Sequence, residues 1–179
     1  SPEIVRVQQT YERSVAFEMP HQCPICGSNV AQEEGEVAIK CQNFFCSAQL
    51  KGRLTHFVSR KALNIEGLGK QLIEQCVDQG LLHDVVDIYA LDFDSLMNLE
   101  RMGEKSANNC LVAIEASKTV DLGRFIYALG LPFVGVHGAA ILAQEFGSIF
   151  ELKQASFESL QQIHGIGDKM AASVVRYFQ

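Results

Sequence analysis

No stretch of 18 apolar residues occurs among the 179 positions, which excludes a membrane-spanning helix. The first twelve residues mix charges with single aliphatics and lack the apolar run of a secretory signal. The chain opens on Ser1 and not on methionine, as expected of a processed chain or a piece of a longer one. The sequence places no histidine base beside Cys76 or Cys110, so neither reads as a nucleophile. Cys76 shares a helical face with Leu72, Ile73 and Val77, and Cys110 with Ala107, Leu111 and Ile114, so both are expected to be small buried hydrophobes. What is present is an ordinary globular balance, 47% apolar and 20% charged, which argues against disorder. The length suits one domain, or a small and a medium one.

The net charge of −6 counts against a nucleic-acid partner if it is read as an average. The distribution is uneven. Residues 1–39 carry two positive and six negative groups, residues 71–179 seven and fourteen, whereas residues 40–70 carry Lys40, Lys51, Arg53, Arg60, Lys61 and Lys70 against Glu66 alone. A basic segment of net +5 therefore lies inside an acidic protein. Taken alone it fits a solvated surface run as well as a binding patch.

Four of the six cysteines are crowded, with the spacing C-x2-C-x14-C-x4-C over Cys23, Cys26, Cys41 and Cys46. Cys23-Pro-Ile-Cys26-Gly27 has the form of a zinc knuckle: two thiolates converge on one ion and Gly27 relieves crowding behind the second. Residues 30–40 read as a hairpin turning at Glu34-Gly35, with Val37, Ala38 and Ile39 returning, which brings the two cysteine pairs together. The predicted outcome is a closed tetrahedral Zn²⁺ site of structural type; the alternative, two disulfides, needs an oxidising compartment that nothing in the sequence indicates. His21 and His56 are spare ligands, but four cysteines already close the site.

The rest of the chain repeats. Four segments align on the pattern h-x-G-h-G-x-x-x-A: Ile65–Gly69, Leu99–Gly103 followed by Ala107, Leu131–Gly135 followed by Ala139, and Ile163–Gly167 followed by Ala171, with final glycines 34, 32 and 32 residues apart. Phe93, Phe125 and Phe157 recur at intervals of 32. Each unit predicts a helix, a tight glycine turn and a second helix. Leu50–Leu63 is expected before the first turn, and Lys70–Gln79, Lys105–Ala116, Val136–Phe146 and Asp168–Phe178 are expected after the four turns. One helical hairpin cannot bury its apolar faces, but stacked pairs can. The fold class is therefore mainly α: a small four-cysteine zinc finger, then an array of four such hairpins. The boundaries fall at 1–20, 21–50 and 51–179.

The turns suit phosphate. Glycine permits positive φ and close backbone approach, and the first amides of the following helix have no internal partner and sit at the positive end of its dipole. The candidate contacts are Gly67, Gly69 and Lys70; Gly103, Lys105 and Ser106; Gly135 and His137; and Gly165, Gly167 and Lys169, with Lys51, Arg53 and Arg60 from the basic segment. Contacts of this kind reach no base edge, so binding is predicted to be independent of sequence and sensitive to salt. They also reconcile DNA binding with an acidic chain, since one face can bind while the other stays acidic.

The turns resemble helix-hairpin-helix motifs. Behind a four-cysteine finger they resemble the C-terminal half of bacterial NAD-dependent DNA ligases. The likeness rests on Cys23–Gly27, His56–Arg60 (HFVSR), Leu99–Ala107 (LERMGEKSA) and Arg124–Gly130 (RFIYALG), and it covers about residues 20–179. Residues 1–19, with Glu3–Val7, are similar to the last strand of that family's oligonucleotide-binding barrel and a linker. The resemblance implies a bacterial, cytoplasmic enzyme. In it a lysine takes AMP from NAD, the AMP passes to the 5′-phosphate of a nick, and the 3′-hydroxyl displaces it with Mg²⁺ assisting. It further implies that the helix-hairpin-helix domain encircles nicked duplex DNA across the minor groove, and that the finger joins it to the barrel. The family's K-x-D-G lysine motif does not occur in this sequence, so no catalytic residue is assigned here and the chain alone is expected to be inactive. The implied partners are nicked double-stranded DNA and the adenylylation and barrel domains of the same enzyme, with no membrane. Arg101 and Phe133 stand where the first turn glycine is expected, which predicts weaker phosphate contact or a packing role in the second and third turns, with Phe133 packed inward. Two other functions compete: a non-catalytic helix-hairpin-helix module for DNA repair or junction binding, and a zinc-stabilised adaptor that docks proteins.

Overall fold

The computed structural model describes residues 18–32, 38–43 and 45–179. The chain divides between Cys46 and Ser47 into two compact units.

In the first unit, strands β1 (Val30–Gln32) and β2 (Ile39–Cys41) pair antiparallel, with Val30 opposite Cys41 and Gln32 opposite Ile39. This is the predicted hairpin. Its expected turn at Glu34-Gly35 lies outside the described residues, as does the barrel strand expected at 3–7. Cys23 and Cys46 are the only buried residues among those described in this unit. The described part of this unit holds no apolar core and needs another source of stability, and four thiols are at hand.

The second unit is helical: α1 (Ser47–Val58), α2 (Lys70–Asp78), a 3-10 helix (Val85–Ala90), α3 (Phe93–Met97), α4 (Glu104–Ser117), α5 (Leu122–Ala128), α6 (Val136–Phe146), α7 (Ile149–Lys153), α8 (Phe157–Gln161) and α9 (Asp168–Phe178). The helices that follow the four turns match the sequence prediction to within a residue. The first helix does not: it begins at Ser47 and stops at Val58, five residues short of Leu63. Residues 59–65 instead fold into tight turns, with the Ala62 and Asn64 amides both donating to the Ser59 carbonyl, and Asn64 takes a φ of 53°.

The four hairpins are grouped two by two. One hydrophobic cluster gathers Leu54, Leu68, Ile73, Cys76, Leu82, Ile88, Leu96, Ala107, Cys110 and Ile114. A second gathers Ile126, Leu131, Leu142, Leu152, Leu160, Ala171 and Val174. The element order repeats accordingly. The segment α1, α2, 3-10 helix, α3, α4 is followed by its counterpart α5, α6, α7, α8, α9. Gly69 and Gly135 are 66 residues apart, and Gly103 and Gly167 are 64. Within each pair the first hairpin opens on a longer helix and the second on a five-residue one. The recurrence of Phe125 is therefore numerical only: Phe93 and Phe157 directly follow their caps Asp92 and Ser156, whereas Phe125 lies four residues beyond the cap Asp121. Cys76 and Cys110 are fully buried, as predicted, and burial pushes the Cys76 thiol up to about 11.

Candidate zinc centre and nucleic-acid interface

The thiol sulfurs of Cys23, Cys26, Cys41 and Cys46 all lie within 4.8 Å of one another. The separations of the Cys23–Cys46 and Cys26–Cys41 pairs are 3.9 and 3.5 Å. A disulfide needs about 2.05 Å, so neither pair is bridged. A Zn²⁺ with bonds of about 2.3 Å to four sulfurs makes a tetrahedron with edges of about 3.8 Å, and the observed separations fit it. Local backbone fixes the cluster. The Gly27 amide donates to the Cys23 carbonyl at 2.9 Å, with Gly27 at φ 70°, and the Asn43 amide reaches the Cys41 sulfur at 3.4 Å.

The electrostatics favour a cation. The Ser28 hydroxyl and amide hold the Cys26 thiol down to about 6. At Cys41 the Asn43 amide works in the lowering direction, but desolvation and the Cys26 and Cys23 thiols push the group up to about 12. One thiolate forms readily beside the others and the next does not, which is the situation a divalent ion resolves. With four protein ligands no coordination position stays open for substrate.

The four turns are built alike. In each, a backbone amide reaches back three residues: Leu68 to Ile65, Met102 to Leu99, Val134 to Leu131 and Ile166 to Ile163. The third residue of each turn is left-handed, at φ 91° for Gly67, 62° for Arg101, 64° for Phe133 and 92° for Gly165. Positive φ at that position with Pro132 before it in one copy is the signature of a type II turn. Arg101 and Phe133 hold the same backbone shape as the glycines at an expense of about 1–2 kcal/mol each. The second and third turns are therefore not distorted. Nor is Phe133 packed inward as the sequence predicted: it is 45% exposed, and the Lys169 ammonium lies 5.6 Å from its ring centre. The hydrophobe between the two turn positions does point inward. Leu68, Val134 and Ile166 are buried and anchor their turns by about 1.5–3 kcal/mol apiece.

The second glycine behaves differently. Gly69, Gly103, Gly135 and Gly167 are the N-caps of α2, α4, α6 and α9, and their φ values of −78°, −111°, −83° and −90° suit any residue. Each carbonyl starts its helix, accepting from Ile73, Ala107, Ala139 and Ala171. A Cβ at any of the four would meet nothing within 4 Å. No side chain caps these helices, whereas Asp84, Asp92, Asp121, Ser148 and Ser156 cap the 3-10 helix, α3, α5, α7 and α8. The folded chain thus leaves four helix N-termini bare beside exposed glycines that neither packing nor backbone conformation requires.

The side chains around them differ in availability. Lys105, Ser106, His137 and Lys169 are exposed next to their turns. Lys70 is exposed and lies 3.9 Å from Glu74. Lys51 sits 2.7 Å from Asp78, Arg60 is exposed, and Arg53 is half-buried on α1. The first turns of α4 and α9 carry Glu104 and Asp168, while those of α2 and α6 carry no acid, which makes α2 and α6 the more favourable anion sites. A groove of about 670 Å³ brings Gly67 together with Ser106, and Asn64, Asn109 and Arg124 also line it. Arg124 and His56 carry contacts that the sequence did not single out. Their strings were visible in it, but their partners, backbone carbonyls more than 60 residues away, leave no periodic trace.

Among the described residues no helix is long and apolar enough to cross a membrane. The family model described as the NAD-dependent DNA ligase C4 zinc finger domain matches residues 22–48. A SAM-like helix-hairpin-helix tandem matches residues 59–115, and a helix-hairpin-helix motif matches 124–179. These two matches fall on the two pairs seen in the structure. Proteins named DNA ligase from Halalkalibacterium halodurans, Shouchella clausii and Lysinibacillus sphaericus are 48%, 49% and 47% identical to this sequence over 99% of it. The chain spans 27% of the length of each of them. The chain thus carries a zinc finger of the NAD-dependent DNA ligase type ahead of two helix-hairpin-helix pairs, and over nearly its whole length it is similar to a part, about a quarter, of proteins named DNA ligase.

Proposed function

We propose that this chain grips nicked duplex DNA by its phosphates, without reading base sequence, as the DNA-holding part of a ligase that seals nicks in replication and repair. The carrying observation is the repeated glycine at Gly69, Gly103, Gly135 and Gly167, where the fold itself makes no demand for glycine. A residue that leaves room for nothing within the chain leaves room for a ligand. Bare amides at a helix start, with exposed cations beside them, favour a phosphate. Four copies at one geometry suit a regularly spaced polyanion better than a single anion.

In this reading Gly67, Gly69, Lys70, Gly103, Lys105, Ser106, Gly135, His137, Gly165, Gly167 and Lys169 face the phosphates, and Arg53 and Arg60 add charge from the basic segment. Residues 51–179 are the binding array. Residues 21–50 are the finger, with one Zn²⁺ on Cys23, Cys26, Cys41 and Cys46 holding it folded. The whole enzyme moves AMP from NAD through a lysine to the 5′-phosphate of the nick, and the 3′-hydroxyl then displaces it with Mg²⁺ assisting. That chemistry belongs to adenylylation and barrel domains beyond this sequence, and it takes place in the bacterial cytoplasm.

A salt titration of binding to nicked duplexes of unrelated sequence tests this. Equal affinities and a steep loss with salt are expected. Binding that is absent at low salt, or that differs tenfold between sequences, refutes it.

A further inference from the structure

The two helix-hairpin-helix pairs have largely separate cores, and α5 joins one to the other by a small set of polar contacts as well as by packing. The Arg124 Nε donates to the Ala62 carbonyl at 2.8 Å, and an Arg124 Nη donates to the Arg60 carbonyl at 2.6 Å. Residues 60 and 62 lie in the tight turns between α1 and the first hairpin turn. One helical turn further along α5, the His56 Nε2 lies 2.7 Å from the Tyr127 carbonyl, and the two rings meet edge-on with centres 4.7 Å apart. Gly130, at φ 69°, takes the left-handed turn that ends α5 beside the His56 ring. Helix α5 is also a shared wall: Ala128 packs in the first core and Ile126 in the second.

Arg124 is notable for where its charge goes. A guanidinium in a DNA-binding protein commonly faces phosphate. This one turns its fork onto two main-chain carbonyls of the other pair, and its planar, fixed donors hold two points of that segment at set distances. The segment leads directly into Ile65 and the first turn, so the placement of Gly67 and Gly69 relative to the third turn depends on this fork.

We infer that Arg124 is a positioning residue that sets the first helix-hairpin-helix pair against the second, so that both engage one duplex at once. The inference rests on the reading that the hairpins hold duplex DNA. Two sites on a rigid body bind with an advantage over either alone that is lost when their geometry is loosened, even though no contact to the ligand is removed.

The test uses the full chain and three proteins: the parent, Arg124→Met, which keeps the aliphatic stem but no donor, and Arg124→Lys, which restores a donor without the fork. Each binds two duplexes across a salt series, one long enough for both pairs and one so short that it accommodates a single pair, with thermal unfolding followed by circular dichroism. On the long duplex, Arg124→Met is expected to lose about tenfold or more in affinity, and its salt slope should fall toward half of the parent's. On the short duplex it should match the parent, and Arg124→Lys should fall between the two on the long one. A residue serving stability alone would weaken both duplexes together or neither. If the parent binds no duplex, the reading of the hairpins has failed and the inference falls with it. If the parent binds and folded Arg124→Met matches it on both duplexes, the hairpins hold DNA but the positioning role is wrong. Should Arg124→Met fail to fold, Arg124→Lys decides: parent-like affinity and slope on the long duplex would leave Arg124 a purely stabilising residue.

Discussion

Substituting alanine for the N-cap glycines separates binding from folding, because the structure gives the two effects different sizes. At Gly69 the added methyl meets nothing within 4 Å, and a φ of −78° suits alanine. The folded state loses part of the N-cap preference of glycine over alanine, about 0.5–1 kcal/mol. The unfolded state loses conformational freedom, which returns about 0.4–1 kcal/mol. The net change is close to zero, so the melting temperature should move by no more than about 2 °C. Binding should respond far more. A phosphate held by the bare amides at the start of α2 must withdraw from the new methyl, and each charge-assisted hydrogen bond is worth about 1.5–3 kcal/mol. One site lost therefore predicts about a tenfold or greater weakening. Gly69→Ala and Gly135→Ala should exceed Gly103→Ala and Gly167→Ala, because Glu104 and Asp168 already oppose an anion at the latter two. Fluorescence anisotropy with a nicked duplex, beside thermal melts, measures both quantities. Alanine variants that melt with the parent and bind with its affinity would show that the glycines do not admit phosphate, and binding would then have to come from the basic segment 40–61.

The remaining expectations concern the finger, the turns, the lysines and the alkaline limit. Metal analysis of protein purified without chelator should find one zinc per chain, and Cys41→Ser or a strong chelator should abolish the hairpin of β1 and β2 while far-ultraviolet circular dichroism of the helices stays, since Cys23 and Cys46 are all that is buried there among the described residues. Gly67→Val should instead destabilise the helical unit by about 1–3 kcal/mol, because it forces a β-branched residue to φ 91° with Cys110 only 3.4 Å from the first added carbon; an unchanged melt would contradict the turn geometry. Lys105→Ala should flatten the salt slope of binding by about one unit without affecting stability. Cys76 is raised from 9.0 to about 11 in the folded chain, so its contribution is complete below pH 9, and stability should fall between pH 9 and 11 as only the unfolded thiol ionises. Equilibrium denaturation across that range, with Cys76→Ala for comparison, measures it.

The sequence alone determined whatever depends on local spacing. The four cysteines were legible because a metal demands convergent thiols, and the helices after the turns because amphipathic period and glycine punctuation act within a few residues. Tertiary structure decided what depends on distant partners. The end of α1 at Val58 goes with turns whose Arg60 and Ala62 carbonyls face Arg124, more than 60 residues on. Arg101 and Phe133 look unfit for their turns by intrinsic preference, yet both are left-handed where the hydrophobes around them pack, Leu99 buried and Met102 partly buried about the first, Leu131 and Val134 buried about the second. The grouping of four equal-looking repeats into two pairs was decided by which helices share a core, because a period of 32 in the sequence says that units recur and not which neighbours they bury against.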